Sequence, residues 1–365
     1  IVQGQAVLVA PGGRDRAVLE LAGGPSVVEH ARRLPPFSLA ATIAEPAGCP
    51  PIGPTVVLLN AGLIHKVGPG RVFVELGRNL ACAGMRTVRL DLPGIGDSEP
   101  RPGQPSAPYP TDAASQLVET LRALDLEDPS DVVLVGLCSG GFHASRAAVA
   151  LGARGVCLIN PALFPRVPPP PTVTTPEAAA EQVLGIANPL IRYMRRSPVV
   201  KRLAQVPKLR RMYYSEGLAR AVDRLPLVWT LLDVLGVAPS PTRHLRALRA
   251  NGVRTLLLCG PGDARRYRRR AALIRRLQRD GGLRFVELDG IDHSLFSESA
   301  RRRALQAVES HVLSTYLRSA RGASRSEAES PARSATRRAA APPGQVVELD
   351  RVSDLGTRVT HRLAR

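Results

Sequence analysis

Gly136-Leu137-Cys138-Ser139-Gly140-Gly141 places a thiol between two glycines, where an apolar run gives way to a helix-like stretch. A G-x-nucleophile-x-G sequence at a sharp strand-to-helix turn holds its middle residue strained and exposed. Glycines flank it because the turn brings the backbone close to the neighbouring strand and helix. Cys138 is then an attacking group, assisted by the positive end of the helix that follows. Ser139 lies one step past the turn, so its side chain is expected to point away while its backbone N–H serves as an oxyanion donor. The bland alternative is a tight turn in which Cys138 has no chemistry.

A nucleophile of this kind needs a base and an acid to orient the base, in the chain order nucleophile, acid, histidine. Seven histidines are present, and His293 in "ELDGIDHSLF" is the one that follows the last strand-like run and precedes the last helix. His143 falls on the helix after the turn, where packing against a sheet is expected, and His65 is placed at the border of a pocket. For the acid, "LLLCGPGD" puts Asp263 after a Gly-Pro-Gly turn at the end of the preceding strand-like run. A carboxylate there can reach the imidazole and hold its tautomer. Asp292 is adjacent to His293 and reads as a loop hydrogen-bonding residue. The equivalent place one strand earlier is Asn160-Pro161, which carries no charge. A second oxyanion donor is expected from the loop after "VVLLNAG". Leu63 is the leading candidate, Ile64 the lesser one, and Asn60, Gly62 and Ile64 are expected to contact substrate. "DLPGIGDSE" (91–99) contains Ser98, yet reads as a structural turn.

These residues have to be carried by strands and helices in alternation. Unbroken apolar runs occur at 55–62, 86–94, 131–137, 155–163, 254–263 and 284–290, as expected of strands covered on both faces. Helical patterns lie between them, at 71–84, 112–124, 142–151 and 263–279, and a closing helix has Ser297 and Ser299 as candidate caps. The alternation predicts a mostly parallel sheet with helices on both faces. Residues 30–48 would add antiparallel strands at one edge, with "QAVLVA" as a further candidate. The expected organisation is an extension at 1–26, a core at 27–163 and 251–318, a helical lid at 164–250 and a disordered basic tail at 319–365.

Composition limits the partners. The net charge is +19 and aromatic residues make up 4% of the chain. Such charge attracts polyanions, but the arginines are not interleaved with aromatics and no nucleic-acid reading motif appears, so nucleic acid is not an expected partner. No apolar run approaches the roughly 18 residues of a spanning helix. Five cysteines without CxxC spacing argue for a reducing compartment, and the cytoplasm is the expectation. Cys157 and Cys259 sit in apolar runs as small buried hydrophobes. Neither a metal nor a cofactor is expected.

"VVLLNAG", "DLPGIGDSE", "GLCSGG", "CGPGD" and "DGIDHSLF" together resemble the α/β-hydrolase superfamily over residues 27–318. "NAGLIHKVGPGR" with a "GLC" elbow is similar to the cysteine-type hydrolases associated with exosortase systems, related to serine aminopeptidase-like esterases and lipases. The resemblance implies an α/β-hydrolase fold and hydrolysis or transfer of an acyl group from an ester, thioester or amide. Asn60 stands where many members have histidine, and cysteine replaces the usual serine. A related "G-x-C-x-G-G" elbow is used by polyhydroxyalkanoate synthases.

The leading expectation is an acyl hydrolase acting on a small-molecule ester or thioester through an acyl-enzyme. An acyltransferase in lipid, polyketide or cell-surface biosynthesis would use the same residues. In that case a basic lid (Arg195, Arg196, Lys201, Arg202, Arg210, Arg211) would dock an acidic carrier protein, a CoA-type arm or an anionic membrane surface. A non-enzymatic binding protein on the same scaffold is the third reading.

Overall fold

The computed structural model describes residues 7–11, 15–20, 24–100, 109, 112–124, 126, 128–161, 243–268 and 271–317. The expected lid, apart from its last helix, and the expected tail lie outside them.

The apolar runs become β5 (Thr55–Leu59), β6 (Thr87–Leu90), β7 (Val132–Leu137), β8 (Gly155–Ile159), β9 (Arg254–Cys259) and β10 (Leu283–Glu287). All residues of β5 to β8 are buried, because both faces of these strands are covered. The strand order is β1-β2-β3-β4-β6-β5-β7-β8-β9-β10, parallel from β6 through β10. β3 (Val27–Leu34) and β4 (Leu39–Pro46) form the expected antiparallel hairpin, and β4 pairs antiparallel with β6. β1 (Val7–Pro11) and β2 (Arg16–Glu20) continue that edge outward, so the first 26 residues contribute two strands to the same sheet. The residues of β2 are mostly exposed or half-buried and give little hydrophobic pattern to read in the sequence.

Alternate residues of the strands feed two cores. One face packs Val57, Leu59, Leu134 and Leu158 beneath α2 (Ala113–Arg122), α3 (Ser139–Leu151), α4 (Arg243–Ala250) and the helices α5 (Pro261–Arg268) and α6 (Ala271–Arg279). The other packs Val56, Leu58, Val133 and Val135 beneath α1 (Val72–Cys82) and α7 (Glu298–Val312). Removing one such buried leucine to alanine typically costs about 2–5 kcal/mol. The single helix expected over 263–279 is two helices, the first starting at Pro261, and α3 starts at Ser139 rather than Phe142. Ser297 caps α7, its hydroxyl accepting from the Ala300 N–H at 3.1 Å, while the Ser299 hydroxyl lies 3.2 Å from that of Ser297. No disulfide joins the five cysteines, and burial pushes the Cys157 thiol up to about 12.

Register decides which loops meet. Leu59 pairs with Gly136, Leu137 with Ile159, and Ile159 with Leu258. The carboxyl ends of β5, β7, β8 and β9 therefore finish level, and Asn60, Cys138, Asn160 and Gly260 begin neighbouring loops along one sheet edge.

Candidate active site

Cys138 follows β7 directly and precedes the first turn of α3, with φ 54° and ψ −115°. That backbone is strained for a residue with a side chain, a cost of order 1–3 kcal/mol that its surroundings must impose. They do so by close contact. A Cβ on Gly136 would lie 2.3 Å from the Gly140 carbonyl carbon, and one on Gly140 would lie 2.4 Å from the Asn60 carbonyl oxygen. These neighbours are backbone and cannot step aside. The Cys138 N–H donates to the Ile159 carbonyl at 3.0 Å, pinning the turn to β8.

The thiol is half-buried and meets an imidazole from the far end of the chain. His293 Nε2 lies 3.1 Å from Cys138 Sγ, and His293 Nδ1 lies 2.9 Å from Asp263 Oδ2. Asp263 sits in the first turn of α5. The Asp263 carboxylate, and after it the Cys138 sulfur, push His293 up to about 10 by hydrogen bonding to its ring. Asp292 does not face the ring. Its carboxylate accepts from the N–H groups of Ser294 and Phe296 at 3.0 Å and ties the loop into a knot.

Asn160 joins the two loops that bring acid and base together. Fully buried, with φ 40°, it donates from Nδ2 to the carbonyls of Asp292 (2.9 Å) and His293 (3.1 Å) and accepts from the Gly260 N–H at 2.8 Å. The amide is thus committed to backbone and is not a substitute orienting acid. The missing charge is legible in the sequence, whereas the brace depends on contacts 100 and more residues away in the chain. We expect Asn160→Leu to keep the sheet but release the His293 loop. Turnover should fall by about tenfold or more, with the His293 carbonyl and the Gly260 N–H left unpaired at a cost of roughly 1–3 kcal/mol each. Activity assays beside thermal melts check this, and a variant with wild-type turnover would remove Asn160 from the argument.

The loop after β5 is held at both ends. Asn60 is 1% exposed, and its Oδ1 accepts from the Leu92 N–H at 3.2 Å. It therefore supports the loop from beneath, contrary to the expected contact with substrate. The Gly62 N–H donates to the Ser139 hydroxyl at 2.6 Å, and the Ile64 N–H to the Ala61 carbonyl at 2.9 Å. With those two committed, the Leu63 N–H is left open among the described residues, and the side chains of Leu63 and Ile64 stand exposed. The Ser139 side chain is 2% exposed and turned onto this loop.

Further along, Asp91 is fully buried and accepts from the Lys66 N–H and its ammonium, at 2.5 and 3.1 Å. Lys66 and His65 also reach Asp97, and their hydrogen bonds hold its carboxyl down at about 2. His65, Asp91 and Asp97 stand close enough together to share a metal ion. The Lys66 ammonium already supplies the positive charge at that spot, so the group fits a clamp between two loops better than a metal site. Ser98 is structural, donating to the Asp91 carbonyl and accepting from the Ala40 N–H at 2.8 Å each. His143 is buried against the Phe142 ring.

A thiol, an imidazole and a carboxylate thus stand in line at the carboxyl edge of a mostly parallel sheet. The model of the alpha/beta hydrolase family matches residues 56–307, and the chain belongs to that family. No curated protein sequence matches the chain at a significant level. Among solved structures it is similar to a dienelactone hydrolase from Anabaena variabilis, at 14% identity, covering 78% of this chain and 96% of that one with a TM-score of 0.45. It is also similar to a thermophilic esterase from Thermogutta terrifontis, at 19% identity over 78% and 97% of the two chains with a TM-score of 0.40. For Est1E from Butyrivibrio proteoclasticus the figures are 13%, 78%, 98% and 0.42.

Proposed function

We propose that this member of the alpha/beta hydrolase family is an acyl hydrolase acting on a small-molecule ester or thioester, with Cys138 as nucleophile, His293 as base and Asp263 as its orienting acid. The observation that carries the reading is the unbroken Sγ–Nε2 and Nδ1–Oδ2 relay, at 3.1 and 2.9 Å. Sγ attacks the acyl carbon while the thiol proton passes to Nε2. The N–H groups of Ser139 and Leu63 receive the oxyanion. Collapse breaks the bond to the leaving alkoxide or thiolate, which takes the proton back from Nε2. Water then attacks the thioester, giving up its proton to the same nitrogen, and the acid leaves as Sγ is reprotonated. Asp263 holds Nδ1–H throughout, so Nε2 faces the sulfur.

Incubation with p-nitrophenyl esters and acyl thioesters, followed by intact mass, tests this. We expect one acyl increment per chain, located on Cys138. Turnover with the increment on another residue would defeat the assignment.

The same thioester intermediate also favours transfer as a second reading, because it reacts with amines, alcohols and thiols as well as water. Acceptors added to the assay would then yield acylated product in place of free acid. For a carrier-bound substrate, the basic lid residues Arg195, Arg196, Lys201, Arg202, Arg210 and Arg211 lie outside the described ones. The described arginine cleft of Arg246 and Arg249 lies beside Leu277, near the amino ends of β9 and β10, away from the thiol. Five cysteines without a disulfide fit a reducing compartment, and we place the protein in the cytoplasm on that ground. Among the described residues no helix is long and apolar enough to cross a membrane.

A further inference from the structure

We infer that the Ser139 hydroxyl is a positioning residue for acyl transfer: it locks the loop after β5 so that the Leu63 N–H, and not that of Gly62, faces the carbonyl over Cys138. This rests on the acyl-transfer reading above and adds a part to it.

The loop from Gly62 to Ile64 has little packing of its own. A Cβ on Gly62 would meet nothing within 4 Å, and Leu63 and Ile64 are 59% and 41% exposed. Its position is therefore set by hydrogen bonds. Upstream, Asn60 is tied to Leu92, and downstream Lys66 is tied to Asp91. Inside the loop, Asn60 Nδ2 makes a long 3.5 Å contact with the Gly62 carbonyl, and Ile64 bonds back to Ala61. Among the described residues, the bond from the Gly62 N–H to Ser139 Oγ, at 2.6 Å, is what joins this stretch to the elbow.

Two consequences follow from chemistry. Gly62 has φ 57°, a left-handed backbone that a residue with a side chain rarely adopts. With its own N–H held by Ser139, the next one, on Leu63, is the donor left for an oxyanion. Ser139 also carries the other donor on its backbone, at the first position of α3, where an N–H has no partner within the helix. One residue thus sets the spacing between the two donors, through its N–H on one side and its hydroxyl on the other. A hydroxyl buried to 2% and committed to this bond is not free to attack substrate, which separates the roles of the adjacent thiol and alcohol.

The test compares wild type with Ser139→Ala in two reactions of the same thiol. Acyl transfer builds an oxyanion and needs the loop, whereas alkylation by iodoacetamide occurs at a saturated carbon and does not. Ser139→Ala should lower kcat for esters or thioesters by about tenfold or more, up to the roughly 10²–10³-fold seen when an oxyanion donor is lost outright. KM should stay within about twofold and the alkylation rate should match wild type. Ser139→Thr should restore kcat, and Ser139→Val, equal to threonine in shape but without the hydroxyl, should not. That pair gives the same comparison if the alanine variant does not fold. Unchanged kcat in the alanine or valine variants would overturn the inference, as would an equal loss in alkylation, which would mean that the elbow itself had moved. A wild-type protein that alkylates but never acylates would instead bring down the acyl-transfer reading and this inference together.

Discussion

Cys138→Ala should leave a folded protein whose kcat/KM for every acyl substrate is lower by about six orders of magnitude, since the covalent route is lost and only binding and the oxyanion donors remain. The turn does not depend on the sulfur. Its strain, φ 54° and ψ −115°, is imposed by the contacts of Gly136 and Gly140 and by the bond to Ile159, all of them backbone. Thermal melting should therefore be close to that of wild type, and the acyl increment in the intact mass should disappear. A variant that keeps a tenth of wild-type turnover would show that the attack comes from elsewhere.

His293→Ala should cost about 10³-fold in kcat/KM, within the range for losing a positioned general base together with its orientation. The loss is expected to be smaller than for Cys138, because a thiol is partly ionised near neutral pH without help. The same variant carries a signature in stability. His293 binds its proton more tightly in the folded protein, titrating near 10 in place of 6.5, chiefly through Asp263 and then through Cys138. A group raised in this way stabilises the fold fully below its unfolded value and loses that contribution as pH climbs to the folded one. The melting temperature of wild type relative to His293→Ala should therefore be highest below pH 6.5 and decline toward pH 10. Melts across that range check it, and a constant difference would mean that the imidazole gains nothing from its carboxylate.

Much of this was legible along the chain. Strands buried on both faces must be apolar without alternation, so the runs at 55–62, 131–137 and 254–263 read as what they are. Flanking glycines at Cys138 were readable because a turn that tight excludes any side chain there. Asp263 and His293 could be chosen because each follows a strand at a defined place in the order. Less was legible where hydrophobic pattern is weak or partners are remote. β2 was missed for the first reason. Asn60, expected at the substrate, proved to be a buried support, since a residue's type does not tell which side of a loop it faces.

The linear chain settles which groups exist, in what order, and which backbone segments must be strand, helix or tight turn, because local sterics and burial periodicity act over a few residues. It does not settle which polar groups brace one another. The tie of Ser139 to Gly62 spans 77 residues, that of Lys66 to Asp91 spans 25, and those of Asn160 to the loops of acid and base span 100 and more. Such pairs come within reach only when β5, β7, β8 and β9 align in register and their carboxyl ends finish level. Hydrogen bonds are short-ranged and directional, so they belong to the folded arrangement and leave almost no trace in sequence spacing.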